Sequence, residues 1–154
     1  MLDSKEISAV ELTEQYLDRI EKSDKEINSY ITVCKKNALA DAKKAQEVIN
    51  SGNSGAFTGL PISVKDNICT LGVKTTCASH MLDDFIPPYN ATVMEKLKKD
   101  NIVMLGKTNM DEFAMGGSSQ TSYFGGVKNP YDLTRVTGGS SGGAAASVSA
   151  DLCA

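Results

Sequence analysis

The sequence VTGGSSGG, residues 136–143, sets two adjacent serines between pairs of glycines and leads into an alanine-rich segment. A run of this composition suits a flexible linker, a phosphate-binding loop, or a rigid loop that presents a hydroxyl group. A serine hydroxyl takes part in nucleophilic chemistry only when a base lies beside it. The function of this loop therefore depends on which basic side chain the fold brings to it.

Lys65 is the candidate base. A lysine amine works as a base when burial or nearby positive charge lowers its pKa from about 10.4, and Lys65 ends the apolar stretch LPISVK. A solvated strand end is the simpler interpretation of Lys65 and Asp66 from the pattern alone.

The lone histidine, His80, has no partner by pattern, and the cysteines equally lack a base. The linker interpretation is weakened because a helix follows the loop at once, and free N–H groups at a helix start can hold an oxyanion.

Nucleotide and metal sites are disfavoured. The segment NIVMLGKT, residues 101–108, ends like a P-loop, but Asn101 replaces the first glycine and the intervening residues form a buried-strand pattern. The run GGSSGG lacks the spacing of a dinucleotide fingerprint. The cysteines match no zinc or CxxC spacing, so we expect free thiols and no metal. These cysteines are Cys34, Cys69, Cys77 and Cys153.

The composition indicates one soluble domain. The chain has 154 residues, a net charge of -3 and 41% hydrophobic residues, which disfavours disorder and gives no sign of a nucleic-acid or membrane surface. No apolar stretch approaches the roughly 18 residues of a membrane helix, and the polar amino terminus lacks a signal-peptide core. We therefore expect a reducing, cytoplasmic setting and no membrane partner.

The elements that would position these residues alternate between helix and strand. A capping box formed by Ser8 and Glu11 predicts a helix over 9–22, and small apolar residues at helical spacing predict a second helix that ends before Gly52. From residue 60 onward strand and helix alternate, which predicts an α/β sheet. The further predicted elements are an extended segment INSYITV, a strand ending at Lys65, a helix over 91–100 capped by Asn90 with Val93 and Leu97 inward, a buried strand over 102–105, and a helix after the glycine run.

Three segments together resemble the amidase signature family: GLPISVKDNI, ATVMEKLKKDNIVMLGKTNMDEFAMG and GGSSGG. Enzymes of this family carry a serine–cis-serine–lysine triad. The resemblance implies the amidase-signature α/β fold, a mixed central sheet flanked by helices, of which this chain is the amino-terminal part. We expect an amino-terminal helical segment, residues 1–58, followed by the first part of the α/β core, residues 59–154.

The resemblance assigns roles to individual positions. Lys65 matches the catalytic lysine, and Ser140 matches the bridging serine, which follows or forms a cis peptide. Supporting positions are Ser141, Gly138 and Gly139, and the substrate-lining positions are Met115, Gly116, Gly117 and Ser118. Thr137 stands where a proline is common in the family. The family's acyl-forming serine lies in a later GGSIR-type motif that does not occur before Ala154, so we expect a fragment that ends inside an apolar helix and is inactive alone.

Two stretches are typical of one branch of the family, the glutaminase subunits of tRNA-dependent amidotransferases: KDNICTLGVKTTCASHMLDDFIPPYNATV and KTNMDEFAMGGSSQTSYFGGVKNPYD. This implies hydrolysis of glutamine and delivery of ammonia to a B subunit. There ATP and magnesium activate a mischarged tRNA, so that Glu-tRNA(Gln) or Asp-tRNA(Asn) becomes Gln-tRNA(Gln) or Asn-tRNA(Asn). A C subunit holds the heterotrimer together, and this chain itself holds no cofactor.

Three other functions stay open at this point. A stand-alone amidase or hydrolase would act without B and C subunits. A binding or assembly module would only dock to partners, and a nucleotide-binding domain would use the GKT segment. An incomplete sheet also has an exposed edge, which would favour pairing of two copies of the chain.

Overall fold

The computed structural model describes residues 2, 4 and 6–154. The helices and strands are α1 (Ala9–Ile27), β1 (Tyr30–Val33), α2 (Lys35–Asn50), β2 (Pro61–Lys65), α3 (Thr92–Lys99), β3 (Val103–Thr108), β4 (Lys128–Asn129), β5 (Asp132–Val136) and α4 (Gly142–Ser149). Single-turn 3-10 helices occupy His80–Leu82 and Glu112–Ala114. The alternation predicted from residue 60 onward holds for β2, α3 and β3, but β4 and β5 then form a hairpin before α4.

The main sheet has the order β1-β3-β2. Strand β3 is buried along its whole length, as its apolar start predicts, and it lies antiparallel to β1 and parallel to β2. The parallel pairing places Lys65, the last residue of β2, beside Thr108, the last residue of β3. Whatever follows β3 in the chain therefore emerges next to Lys65.

Two apolar clusters cover the two sides of this sheet. Residues of α1, α2, β1 and α4 pack against Val103 and Leu105 of β3, and Met94 of α3 packs with Val64 and Met104 in the second cluster. Successive side chains of a strand point to opposite faces, so β3 supplies both clusters. The sheet is thus a middle layer between helices.

Helix α1 begins at the predicted capping box and continues past the predicted end at residue 22. The Ser8 hydroxyl accepts the Glu11 N–H at 3.1 Å, and the Ser8 N–H donates to the Glu11 carboxylate at 3.0 Å. The helix ends at Ile27, where the buried Asp24 carboxylate accepts the N–H groups of Ser29 and Tyr30. These contacts turn the chain directly into β1.

Helix α3 differs from its prediction in two respects. Ala91 rather than Asn90 is the N-cap residue, because the Asn90 side chain instead accepts the Leu71 N–H at 2.8 Å. Leu97 packs on the second apolar cluster as predicted, but Val93 is 45% exposed and its neighbour Met94 is fully buried. The inward face of α3 therefore keeps Leu97 and has Met94 in place of the predicted Val93.

Helix α4 also corrects an expectation, since the chain does not end within it. The helix stops at Ser149, and the Ala154 N–H donates to the Pro61 carbonyl of β2 at 2.9 Å.

The amino-terminal segment 1–58 contains β1 as well as α1 and α2, and β1 belongs to the main sheet. The division at residues 58 and 59 stays a prediction.

Candidate active site

Lys65 and the two serines of the glycine-rich loop meet at the carboxyl end of β2. The Lys65 amine lies 2.7 Å from the Ser140 hydroxyl and 2.6 Å from the Ser141 hydroxyl. Burial lowers the pKa of Lys65, and the nearby charge of Asp111 acts against this fall. A lowered pKa is what a lysine base requires. Lys65 and the glycine-rich loop, each a weak candidate from the sequence alone, thus lie in contact.

The glycine-rich loop is a fixed structure rather than a linker. The peptide bond between Gly139 and Ser140 is cis, and Gly138 has a φ of +82°, a conformation that favours glycine. The Ser119 hydroxyl donates to the Gly138 carbonyl at 3.0 Å and accepts the Gly142 N–H at 3.0 Å. One buried side chain therefore holds both ends of the loop, and the cis bond expected from the resemblance is present.

Asp111 is a component of the site that sequence reasoning missed. Its N–H donates to the Ser140 carbonyl at 3.1 Å, and its buried carboxylate accepts the Thr121 hydroxyl at 3.0 Å. Burial acts to raise the pKa of Asp111, but hydrogen bonds from the surrounding N–H groups and Thr121 outweigh it and the pKa is lowered. The sequence feature that could have indicated Asp111 is its position shortly after β3, at the sheet edge where β2 ends with Lys65.

The segment predicted to line a substrate pocket lies against this loop. Met115 and Gly117 are exposed, and Gly116 contacts the Asp111 carboxylate closely enough that no side chain fits there. The Ser118 N–H lies beside Gly139. The segment is therefore adjacent to the lysine and serines, and its role in binding substrate stays a prediction.

The GKT segment forms no nucleotide cradle. It is the end of buried β3, and the Lys107 amine donates to the Ile68 carbonyl at 2.7 Å and to the Thr75 hydroxyl at 2.8 Å. The amine also lies 3.8 Å from the Asp66 carboxylate, with both side chains fully buried. Burial lowers the pKa of Lys107 and raises the pKa of Asp66, while their mutual attraction opposes both shifts. Lys107 thus bonds within the buried interior, and the buried strand predicted for this segment is present.

The start of α4 offers fewer free donors than the sequence suggested. The Gly142 N–H is bonded to Ser119, and the Gly143 N–H donates to the Asn109 carbonyl at 3.0 Å. The expectation that this helix start holds an oxyanion is wrong for these two N–H groups, because the loop itself uses them.

The remaining sequence candidates lie in other contacts. The His80 ring packs at a tilt of 40° against Tyr123 with ring centres 4.4 Å apart, and its Nε2 lies 3.6 Å from the Asp83 carboxylate. All four cysteines are free thiols. Within residues 2, 4 and 6–154, no three His, Cys, Asp or Glu side chains converge as metal ligands. In the same described part, no helix has the length and apolarity needed to cross a membrane.

Comparisons with known proteins identify the family of this chain and do not test the roles of Lys65 and Ser140. A family model described as Amidase matches residues 11–154. The chain belongs to the amidase family. A curated relative from Ruminiclostridium cellulolyticum, named as the A subunit of glutamyl-tRNA(Gln) amidotransferase, is 59% identical over 152 residues. That alignment covers 99% of this chain and 31% of the relative, so the chain spans about a third of the length of this relative.

Solved structures of amidases share the fold. The A subunit of glutamyl-tRNA(Gln) amidotransferase from Thermotoga maritima matches with a TM-score of 0.76 and 37% identity, over 94% of this chain and 29% of that one. The native peptide amidase from Stenotrophomonas maltophilia matches with a TM-score of 0.92 and 32% identity, over 99% of this chain and 33% of that one. The predicted fold class, the amino-terminal part of an amidase-signature α/β fold, is confirmed.

Proposed function

We propose that this chain supplies the base and the relay serine of the glutaminase subunit in a tRNA-dependent amidotransferase. The observation that carries the proposal is the Lys65 amine within hydrogen-bond distance of both Ser140 and Ser141. The names of relatives such as the one from Ruminiclostridium cellulolyticum support the choice of this branch of the amidase family. The chain spans about a third of that relative, so the complete reaction is proposed only for a chain that also contains the later serine motif.

The proposed chemistry begins at the lysine. Neutral Lys65 accepts a proton from Ser140 while Ser140 accepts one from a second serine, which the resemblance places in a later glycine-rich motif. That serine forms a C–O bond with the side-chain amide carbon of glutamine. The C–N bond then breaks, and the proton returns through Ser140 to the leaving ammonia. Water hydrolyses the ester and releases glutamate.

The ammonia is proposed to pass to partner subunits. In this scheme a B subunit uses ATP and magnesium to activate glutamate or aspartate on a mischarged tRNA, and a C subunit joins the A and B subunits in the cytoplasm. The nucleotide is assigned to the partner because the one P-loop-like segment of this chain is a buried strand whose Lys107 contacts Ile68, Thr75 and Asp66. These residues do not fit a bound triphosphate.

The first experiment measures glutamate release from glutamine. The 154-residue chain is compared with a chain extended through the next glycine-rich motif, assembled with B and C subunits, and with its Lys65→Ala variant. We expect activity in the extended chain only, and its loss in the variant. Turnover by the short chain would contradict the proposal, because the nucleophile would then lie within residues 1–154.

A stand-alone amidase is the second candidate, and the similarity to the Stenotrophomonas maltophilia peptide amidase favours it. The extended chain without B and C subunits distinguishes the two functions. Hydrolysis of simple amides or peptide amides at a rate unaffected by B and C would favour the stand-alone enzyme. Activity on glutamine that rises on assembly would favour the amidotransferase. Binding to B and C without hydrolysis by any form would instead indicate an assembly module.

A further inference from the structure

We propose that Asp111 is a positioning residue that fixes the relay serine and acts through its charge on Lys65. This inference rests on the proposed function, because it assigns Lys65 and Ser140 their roles in proton transfer. Asp111 follows β3 by three residues, and β3 ends beside Lys65 in the parallel pairing with β2. The fold thus brings its backbone and carboxylate to the base.

The backbone of Asp111 holds Ser140 directly. Its N–H donates to the Ser140 carbonyl at 3.1 Å, across the residue that carries the relay hydroxyl. The Ser140 hydroxyl in turn lies 2.7 Å from the Lys65 amine. Fixing the carbonyl of a residue limits rotation of its backbone, so this bond restricts where the hydroxyl points.

The carboxylate of Asp111 packs against Gly139 of the glycine-rich loop. It is fully buried, and a Cβ atom added at Gly116 or Gly139 would overlap it. The Thr121 hydroxyl donates to its Oδ1 at 3.0 Å. The carboxylate therefore fills the space between two glycine-containing segments, and a change in its size or hydrogen bonding displaces the peptide that leads into Ser140.

The negative charge of Asp111 also acts on Lys65 and raises its pKa. The charged groups on the elements around Lys65 are Asp66, Lys107, Asp111 and Glu112. Asp66 and Lys107 contact each other, and the Glu112 carboxylate accepts the Ser79 hydroxyl at 2.6 Å. Lys107 pairs in register with Val64 and so lies on the sheet face opposite to Lys65. Burial lowers the pKa of Lys65, and Asp111 is the residue whose charge limits the fall.

The test uses the extended chain in complex with B and C subunits and measures glutaminase kcat/KM as a function of pH. Asp111→Asn removes the charge and keeps the shape. Thr121→Ala removes a hydrogen bond to the same carboxylate and keeps the charge. We expect Asp111→Asn to reduce the maximal kcat/KM about tenfold and to move the acid limb of the profile to lower pH, since Lys65 then loses the neighbouring negative charge that raises its pKa. Thr121→Ala is expected to lower the rate without moving the limb.

The other possible results distinguish failure of the proposed function from failure of the proposed role of Asp111. An inactive wild-type complex would refute the proposed function, whereas an active one whose acid limb stays unchanged in Asp111→Asn would refute the role of Asp111 alone. A purely structural residue would lower the rate and leave the limb in place. If Asp111→Asn does not fold, as judged by thermal unfolding, the smaller Asp111→Ser is read in the same way. Failure of both variants to fold would also overturn the inference, because Asp111 would then serve stability.

Discussion

At the scale of single residues, the lysine contacts two hydroxyl groups at nearly equal distance. The amine lies 2.7 Å from Ser140 and 2.6 Å from Ser141. A neutral amine has one lone pair and two N–H donors, so it accepts a proton from one hydroxyl while it donates to the other. Ser140 has its carbonyl fixed by Asp111, whereas Ser141 is exposed and precedes α4. We assign the relay to Ser140 and the orienting bond to Ser141.

This assignment predicts unequal effects of the two serines. Ser140→Ala is expected to lower glutaminase kcat by about 10²–10⁴-fold, since it interrupts proton transfer. Ser141→Ala is expected to lower it about tenfold, the effect of losing one hydrogen bond to the base. Both variants are measured in the extended chain assembled with B and C, with thermal unfolding as the control for folding. A larger loss in Ser141→Ala would make Ser141 the relay.

The protonation state of Lys65 predicts the direction of the pH dependence. Burial lowers the pKa of Lys65, so the active neutral amine becomes populated as the pH rises through that lowered value, and activity falls as the pH drops below it. Lys65→Arg keeps a cation that does not lose its proton in this range. We expect kcat/KM to rise with pH in the wild type and to be lost at every pH in the variant. Activity of Lys65→Arg at neutral pH would show that the cation, and not the base, is needed.

At the scale of elements, β2 and β3 form the platform of the site, and a buried ion pair joins them to the segment after Lys65. Lys107 of β3 lies 3.8 Å from Asp66, whose carboxylate also accepts the Thr76 N–H at 2.9 Å. Both charged side chains are fully buried. Removal of one partner leaves the other charge buried without compensation.

Lys107→Met is therefore expected to destabilise the chain by about 3–5 kcal/mol at neutral pH. Without the lysine, burial raises the pKa of Asp66 further above its unfolded value, so the loss is smaller at acid pH and grows as the pH rises through that raised pKa. Urea unfolding at two pH values measures both effects. Lys99→Met, at an exposed position of α3, is the matched control and should change stability little. Equal effects of the two substitutions would show that the buried pair contributes nothing.

The same elements show what the sequence could predict. The capping box at Ser8, the strand that ends at Lys65 and the buried run at the start of β3 depend on neighbours in sequence, and the structure confirms them. The start of α3 could not be predicted from Asn90, because that side chain bonds to the distant Leu71. The role of Asp111 could not be predicted for the same reason, since its contact with Ser140 exists only after the loop folds back. The pairing of Lys65 with this loop came from the family resemblance rather than from spacing.

At the scale of the whole molecule, the relay serine is joined to two regions of different burial. The hairpin of β4 and β5 precedes the glycine-rich loop and is largely exposed, whereas every residue of β3 is buried. Residues outside the hairpin hold the loop. Ser119 holds the Gly138 carbonyl and the Gly142 N–H, and Asn109, directly after β3, accepts the Gly143 N–H at 3.0 Å.

Amide hydrogen exchange should therefore separate the loop from the hairpin that precedes it. We expect the Gly143 amide to exchange slowly, like the amides of β3, and the amides of β5 to exchange quickly, because exposed hydrogen bonds open locally at low free-energy cost. Ser119→Ala should accelerate exchange at Gly142 and leave β3 unchanged, which controls for global unfolding. Exchange of Gly143 at the rate of β5 would show that the loop opens together with the hairpin. The contacts of Ser119 and Asn109 would then be insufficient to fix the geometry between Lys65 and Ser140.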